Sequence, residues 1–539
     1  MDFGRYSGIL KNGTKLFVTT SISLVLSSGC VPSNDGISET STQSNEIASL
    51  IASSSYLQSS GVMMSSSGTF SSGPESGSSD DTNFERPNIL FIITDEQRAD
   101  SVGGYGKDWV RTPNLDKLSS DGVLFRNHFV NSPQCVPSRT SMLSGVYPHQ
   151  TGVFQNGQEK EDWPEGFISF PEVFSENNYT TANLGKIHYP KNEDMWDENN
   201  VFVEFPQVAT PFKLGSGYSE SEYEVIHRYE GSTISSGRYP DYNNGTTPTT
   251  HLTDMAVSWI DDHKADDDPF LLRVSYVAPH TPVLAPEPFY SMFEPDDMDC
   301  DWWPDAQKEK LTVYDNFFAK INAGDQFDIT IEKLQRIHAT YNGLVSHVDD
   351  QIGRLIKKLE EDGLMENTII VFTSDHGSML GEHTQFEKGM FYDQSVRVPL
   401  IVYWKNKLPG GKVVTGLTEH VDIAPTLLNL ARIDVPEHYA GKPLLKDPYN
   451  ITGKEYIFGE RALAKKDKGP KRVWIRSDRY TLNYSMYNSL GIFALNDERD
   501  GFLADLEKDP GETKNLYNDP QYAEIKKELE RKIYEWMNP

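Results

Sequence analysis

Three apolar runs of strand length punctuate the chain, at residues 88–94, 270–277 and 367–373. Each run is continuous rather than alternating, which is typical of strands buried on both faces of a sheet. Apolar residues at helix-like spacing mark 250–263 and the long segment 331–362. Because buried strands alternate with helices, the sequence predicts an α/β domain with a mostly parallel sheet.

Ionisable residues follow all three predicted strands. Asp95 and Glu96 end the first, His280 follows the second, and Asp375 and His376 follow the third. In open α/β sheets, ligands bind beyond the carboxyl ends of the strands. Each of these groups alone is more often a helix cap or a solvated turn. Together, their carboxylates and imidazoles suit a hard cation such as Ca²⁺, Mg²⁺ or Mn²⁺.

The first 85 residues have a different pattern. Lys11 and Lys15 precede an apolar run at 16–26, which is too short to span a bilayer, and small residues then lead to Cys30. This order is typical of a signal peptide, and its end resembles the lipobox of bacterial lipoproteins. We expect a signal peptide at 1–30 with Cys30 lipidated, and a Ser-rich disordered tether at 31–85.

This start predicts an exported protein in the periplasm or at the cell surface, attached to a bacterial membrane through Cys30. Cleavage without lipidation, followed by secretion, is the main alternative. The second alternative is a cytosolic protein whose N-terminus is apolar.

Composition narrows the classes of partner. The 539 residues include 50 Lys and Arg against 79 Asp and Glu, a formal net charge of −29. An acidic protein is a poor binder of phosphate backbones, so we expect no nucleic-acid partner. The three cysteines, Cys30, Cys135 and Cys300, are too few for a disulfide framework.

Cys135 lies in the sequence S-P-Q-C-V-P-S-R-T-S-M-L-S-G, residues 132–145. A lone cysteine is usually a small buried hydrophobe, but this motif is joined by others in a fixed order: 94–98, 185–188, 278–282, 374–377, 386–389 and 505–516. Together they resemble the motifs of the type I, formylglycine-dependent sulfatases of the alkaline-phosphatase-like superfamily. The resemblance covers roughly residues 86–539.

The resemblance implies an architecture. The expected fold is a large alkaline-phosphatase-like domain at 86–439, with a mostly parallel mixed sheet flanked by helices. A smaller C-terminal α+β subdomain with a short antiparallel sheet is expected at 440–539. The sequence there suggests strands at 472–476 and 480–484 and a final amphipathic helix at 520–537.

The resemblance also implies a metal site. One divalent cation, Ca²⁺ with Mn²⁺ or Mg²⁺ as alternatives, would be held together with residue 135 by ligands from two strand ends: Asp95, Glu96, Cys135, Asp375 and His376. Glu96 and His376 depart from the commonest pattern of the family, which has Asp and Asn at these positions.

The family assigns catalytic roles to six positions: Cys135, Arg139, Lys186, His188, His280 and Lys388. Cys135 is the residue that a formylglycine-generating maturation enzyme would oxidise to 3-oxoalanine, whose hydrate is the nucleophile. His188 matches the general base. Arg139, Lys186 and Lys388 supply positive charge, and His280 with Lys388 protonates or stabilises the leaving alkoxide.

The implied function is a sulfuric ester hydrolase that acts on sulfated polysaccharide fragments. A phosphodiesterase or phosphonate monoester hydrolase of the same superfamily is the alternative. A thiol-dependent relative and a tethered glycan-binding protein with an inactive site are the other hypotheses. Outside the site, His149 is expected to order its loop, and the pair Trp302 and Trp303 either stacks on a sugar or anchors a loop.

Overall fold

The structure is a computed structural model, and it describes residues 84–107, 109–200, 223–229, 232–239, 247–306, 312, 329–447, 450–451, 453–462, 472–486 and 500–539. The predicted signal peptide, Cys30 and the predicted tether up to residue 83 lie outside the described residues. No helix in the described part of the chain is long and apolar enough to cross a membrane.

Nine described strands form the central sheet. They are β1 Asn88–Asp95, β2 Val123–Phe129, β3 Thr180–Gly185, β4 Glu198–Asn200, β5 Phe270–Pro279, β6 Thr368–Ser374, β7 Arg397–Val398, β8 Leu400–Trp404 and β9 Lys412–Glu419. The order across the sheet is β7-β2-β8-β6-β1-β5-β3-β4, and β9 pairs with β2. The three predicted strands are β1, β5 and β6, which lie side by side.

The sheet is mixed, as the resemblance predicts. β1 is parallel to both β5 and β6, and β3 is parallel to β4 and β5. β8 runs antiparallel to β2 and β6, and β7 antiparallel to β2. Because β1 lies between two parallel neighbours, the carboxyl ends of β1, β5 and β6 meet at one edge.

Seven helices of seven residues or more are described: α1 Pro113–Asp121, α2 Cys135–Ser144, α3 Phe170–Glu176, α4 Pro248–His263, α5 Ile331–Glu361, α6 Ile423–Leu430 and α7 Ala523–Met537. Shorter helices span Pro148–Thr151, Trp303–Ala306 and Asp393–Val396. Helix α4 begins two residues before the predicted 250. The Thr247 side chain there accepts a hydrogen bond from the Thr250 amide and caps the helix.

Alternate residues of β1 face opposite halves of the core. Leu90 and Ile92 pack in a cluster with side chains of α4 and α5. Ile89, Phe91 and Ile93 pack in a second cluster with side chains of α2, α3 and α6. Both faces are therefore covered by helices, which is why the run has no polar alternation.

A four-stranded antiparallel sheet lies towards the C-terminus, as predicted. Its strands are β10 Ile457–Arg461, β11 Arg472–Arg476, β12 Tyr480–Ser485 and β13 Gly501–Asp505, in that order. Leu529 and Ile533 of α7 pack on its apolar face. A 3₁₀ turn at Pro520–Tyr522 precedes α7. The predicted boundary between 439 and 440 stays a prediction.

Smaller strands complete the described chain. Tyr223–Tyr229, Ser232–Arg238 and Val283–Ala285 form a three-stranded sheet, and Leu445–Asp447 pairs with Asn450–Ile451. Met379–Leu380 and Phe386–Glu387 form a short hairpin directly before Lys388.

Candidate active site

The ends of β1 and β6 place two buried carboxylates, those of Asp95 and Asp375, side by side. Thr94 lies opposite Ser374 in the parallel register. The Asp375 amide then donates to the Thr94 carbonyl at 3.0 Å, and the Glu96 amide donates to the Asp375 carboxylate at 3.2 Å. Buried carboxylates need charged or hydrogen-bonding partners, so this pair indicates a site rather than a packing feature.

Four residues form a group that could hold a metal ion. One ligand atom each of Asp95, Cys135, Asp375 and His376 lies within 4.8 Å of the others, and all four side chains are buried. His376 Nε2 is 3.6 Å from the nearest oxygen of each aspartate. The mixture of two hard carboxylates with an imidazole suits a divalent cation.

Glu96 belongs to a different group from the one predicted. Its carboxylate gathers with Asp95 and His280, rather than with Asp375 and His376. Asp95 is common to both groups, and the part of Glu96 in holding the metal stays a prediction. Burial raises the pKa of Glu96 to about 7, despite the nearby Lys388 ammonium.

Cys135 is the first residue of α2, and its thiol lies inside the metal-binding group. Its Sγ is 3.1 Å from His376 Nε2 and 3.9 Å from Asp95 Oδ1. Burial and the Asp95 charge oppose ionisation of the thiol. Lys388, Lys186 and His376 outweigh both and hold the pKa of Cys135 well below its usual range.

Two cationic side chains neutralise the charges of Asp95 and Asp375. Arg139, one turn after Cys135 on α2, donates through Nε to Asp375 at 2.7 Å and approaches Asp95 at 3.5 Å. Lys186, which follows β3, donates from Nζ to Asp95. Burial would raise the pKa of Asp95, but these cations and others hold it well below its usual range.

Lys388, His280 and Glu96 form a second cluster of charge. Lys388 Nζ lies 2.6 Å from His280 Nε2 and 3.3 Å from Glu96 Oε2. His280 Nδ1 lies 2.6 Å from the Thr281 carbonyl, which can only accept, so Nδ1 carries the proton and Nε2 accepts from Lys388. Burial and the Lys388 charge lower the pKa of His280 to about 3. The role of His280 at the leaving alkoxide stays a prediction.

The family comparison decides the identity of the site. Residues 87–433 match the family model for sulfatases, and residues 381–538 match the model described as N-sulphoglucosamine sulphohydrolase, C-terminal. The chain belongs to the sulfatase family. It is therefore a sulfuric ester hydrolase, and membership implies a metal and a formylglycine in the site just described.

Individual relatives match this sulfatase along most of their own length. The arylsulfatase of Clostridium perfringens is 29% identical, covering 81% of this chain and 92% of that protein. The ulvan-active sulfatase of Formosa agariphila is also 29% identical, covering 83% and 80%. The crystal structure of the phosphonate monoester hydrolase of Agrobacterium radiobacter has a TM-score of 0.69 at 25% identity, covering 84% and 95%. The alkaline-phosphatase-like fold is thus confirmed.

His188 lies two residues after Lys186, in the segment that follows β3. Gly185 ends β3 at φ +96°, where a Cβ would approach the Ser275 carbonyl to 2.3 Å. His188 Nε2 is 3.9 Å from Glu159, and its Nδ1 is buried without a hydrogen-bond partner among the described residues. Its role as the general base of the sulfatase stays a prediction.

Two residues at the site went unnoticed in the sequence. Asn156 accepts from the Val136 amide at 3.1 Å and places its Nδ2 3.9 Å from Cys135 Sγ. No sequence signal marks it, because it lies in an irregular loop. Ser275 accepts from Arg139 at 2.9 Å. Here a signal existed, since Ser275 is a polar residue inside the apolar run of β5.

The residues expected to be structural have distinct environments. His149 Nδ1 lies 2.7 Å from Glu460, and its ring contacts Trp536 edge to face, an arrangement suited to ordering its loop. Trp303 is buried and donates to the Ile329 carbonyl, as an anchor would. Trp302 is only partly buried and lines a cavity, and its contact with a sugar stays a prediction.

Proposed function

We propose that this sulfatase releases sulfate from sugar residues of sulfated polysaccharide fragments. The observation that carries the proposal is the position of Cys135, the residue of the C-x-P-S-R motif, inside a buried group of carboxylates and cations. The name of the Formosa agariphila relative, an ulvan-active sulfatase, supports a sulfated polysaccharide as the source of the substrate.

We infer that Cys135 is converted to formylglycine by a maturation enzyme. The site fits the hydrated aldehyde because His376 Nε2, Asp95 Oδ1 and Asn156 Nδ2 all lie within 3.9 Å of the sulfur position. These groups can accept from and donate to two hydroxyls. A geminal diol can expel sulfate when its second hydroxyl loses a proton, which a thiol cannot do.

We infer that the metal is a single Ca²⁺ ion, with Mn²⁺ or Mg²⁺ as alternatives. The residues fit a hard divalent cation, since Asp95 and Asp375 are buried carboxylates whose oxygens lie close enough together to share one ion. Asp95, Asp375, His376 and residue 135 would hold the ion. When bound, the cation polarises a sulfate oxygen and the aldehyde hydrate supplies the nucleophilic oxygen.

The protein's own side chains complete the mechanism. Lys388 and Lys186 offer ammonium groups to the anionic sulfate, where negative charge develops. Arg139 orients the Asp375 carboxylate through its hydrogen bond. Lys388 donates from Nζ to His280 Nε2, which holds the ammonium where it can protonate or stabilise the leaving alkoxide. His188 is assigned to deprotonate the second hydroxyl.

Sulfate release tests the proposal. Fragments of ulvan, carrageenan and heparan sulfate are incubated with matured enzyme, and ion chromatography measures free sulfate. We expect release from at least one sulfated oligosaccharide and weaker turnover of 4-nitrophenyl sulfate. Faster turnover of a phosphonate monoester or phosphodiester than of every sulfated sugar would favour the alternative that the Agrobacterium radiobacter neighbour represents.

We also propose that the enzyme is exported and attached to a bacterial membrane through Cys30. The basic, apolar and small segments that precede Cys30 support this proposal. Metabolic labelling with a fatty acid, followed by fractionation, tests it. The wild-type chain should carry label in the membrane fraction, and the Cys30→Ser variant should carry none. Equal distribution of the two proteins would contradict the anchor.

A further inference from the structure

A large cavity lies outside the catalytic groups. Its volume is about 1060 Å³, just above the usual range for ligand sites. Its lining includes neither Cys135 nor Lys186, His280 or Lys388. The mechanism above therefore leaves this cavity without a role.

Two tryptophan rings contribute apolar surface to the cavity. Trp302 donates its indole N–H to the Asp299 carbonyl at 3.1 Å, which holds the ring in one orientation. Trp109 is 42% exposed and is held by an edge-to-face contact with Phe293. Rigid aromatic surfaces lose little entropy when an amphipathic ligand packs on them. The apolar faces of sugar rings match such surfaces.

The charged groups of the cavity carry an excess of carboxylates. Asp100, Asp299, Asp305 and Glu382 line it, against the two cations Arg98 and Lys107. Arg98 is paired with both Asp100 and Glu382, at 2.8 and 2.5 Å, and Lys107 is paired with Asp100 at 3.0 Å. Because both cations are engaged, the cavity repels a sulfate group. Carboxylates instead accept hydrogen bonds from sugar hydroxyls.

The cavity and the catalytic cluster share structural elements. Tyr341 lines the cavity and donates to the Glu96 carbonyl at 2.7 Å. Leu380 also lines it, and belongs to the hairpin that Lys388 follows directly. The Trp302 ring lies 3.3 Å from the Cβ position of Gly381 in the same hairpin. A saccharide bound in the cavity is thus held against the elements that carry Glu96 and Lys388.

We propose that this cavity is a subsite for an unsulfated sugar residue of the saccharide whose sulfate ester is cleaved. Trp302 and Trp109 pack on the faces of the sugar, and Asp299 accepts from its hydroxyls. The proposal rests on the proposed function, and it adds a preference. The enzyme favours oligosaccharides in which a sulfated residue is accompanied by an unsulfated one.

Direct binding tests the subsite without turnover. Chemically desulfated oligosaccharides of ulvan, carrageenan and heparan sulfate are titrated into the wild-type protein by calorimetry. We expect saturable binding of at least one, weakened roughly tenfold by Trp302→Ala or by Trp109→Ala. Tyr534→Ala removes an aromatic ring that is 69% exposed and absent from the cavity lining, so it should bind as wild type does. Binding of none of the three, or equal binding by all variants, overturns the proposal.

Kinetics separate this proposal from the proposed function. Trp302→Ala and Trp109→Ala should raise KM for sulfated oligosaccharides roughly tenfold and leave turnover of 4-nitrophenyl sulfate unchanged. Having two variants guards against misfolding, since Trp109 is the more exposed ring. An unchanged oligosaccharide KM in both overturns the subsite. Failure of the proposed function would look different, because wild type would then release no sulfate from any substrate.

The charge of the cavity offers an independent test. Asp299→Asn removes one exposed carboxylate, which accepts a local hydrogen bond from the Asp301 amide. It should lower KM several-fold for oligosaccharides whose neighbouring residue is also sulfated, while the KM for singly sulfated ones rises or stays constant. A uniform change for both substrates overturns the claim that the cavity selects against sulfate.

Discussion

At the scale of single residues, the site balances buried charges of both signs. Asp95 and Asp375 are fully buried, and each carboxylate has a cationic partner, Lys186 or Arg139. An unpartnered buried charge costs several kcal/mol. The cations therefore allow two carboxylates to be held close together, where a divalent ion can bind them.

The two groups around Asp95 predict different effects on the metal. Asp375→Asn removes a charge from the group that contains Cys135 and His376, and should weaken cation retention at least roughly tenfold. Glu96→Gln, in the group with His280, should weaken it less. Metal content after gel filtration, measured by plasma mass spectrometry, checks this. Equal loss in the two variants would place Glu96 among the main ligands.

Substitution of Gly389 tests whether the packing next to Lys388 matters for turnover. Its φ is +110°, and a Cβ would lie 1.8 Å from the Arg461 guanidinium. Gly152 is a matched control, with φ +75° and no atom within 4 Å of its Cβ position. Alanine at either position costs roughly 1–2 kcal/mol of backbone strain. Only Gly389→Ala also forces the Arg461 side chain and the backbone next to Lys388 apart. Because Lys388 belongs to the active site, only this variant should lower kcat. Equal kcat in both variants would contradict this.

The sequence could anticipate the strand-end residues, and the family resemblance named their cationic partners, but neither pointed to Asn156 or Ser275. Asp95, His280 and Asp375 each follow an apolar run, and parallel neighbours bring such ends together. The division of Glu96 from the main group could not be foreseen, because it depends on the turn that follows β1, where Glu96 has φ 69°. Asn156 could not be predicted either, because it lies in a loop, and loop geometry leaves no periodic pattern in the sequence.

At the scale of elements, long periodic segments were the most predictable. Helix α5 spans Ile331–Glu361, against the predicted 331–362, because its apolar stripe continues for many turns. Strands β1, β5 and β6 coincide with the continuous apolar runs within a few residues. The two-residue strand β7 and the eight-residue strand β9 were not predicted. β9 lies at the edge beyond β2, its burial follows no regular alternation, and only its pairing with β2 defines it.

The contact between α4 and α5 predicts an acid sensitivity of the fold. His347 of α5 is buried, with Nε2 2.9 Å from the Thr247 hydroxyl that caps α4. Burial lowers its pKa to about 4, from 6.5 when unfolded. The folded state resists protonation, so stability is complete above pH 6.5 and falls as pH drops towards 4, by about 3 kcal/mol.

Chemical denaturation of wild type and His347→Gln between pH 4 and 7.5 measures this effect. The variant should lose less unfolding free energy than wild type across the window, because it has no imidazole to protonate. The difference between the two proteins should be constant above pH 6.5. Parallel curves throughout would contradict the role of His347.

At the scale of the whole molecule, the net charge of −29 opposes the binding of a polyanion. The Debye length falls from about 30 Å at 0.01 M salt to about 8 Å at 0.15 M. Sulfate release from a sulfated polymer should therefore be slower at low salt, relative to 4-nitrophenyl sulfate in the same buffer. A ratio of the two rates that is independent of salt would show that the surface charge does not act on the substrate.

The central claim is that formylglycine at position 135 drives sulfate-ester hydrolysis in this fold. The most direct measurement compares protein produced with and without a formylglycine-generating enzyme. Mass spectrometry of the tryptic peptide 127–139 gives the converted fraction of each preparation, and ion chromatography gives its sulfate release. We predict that release is proportional to conversion and vanishes for unconverted protein and for Cys135→Ala. Fully unconverted protein that released sulfate as fast as converted protein would contradict the account.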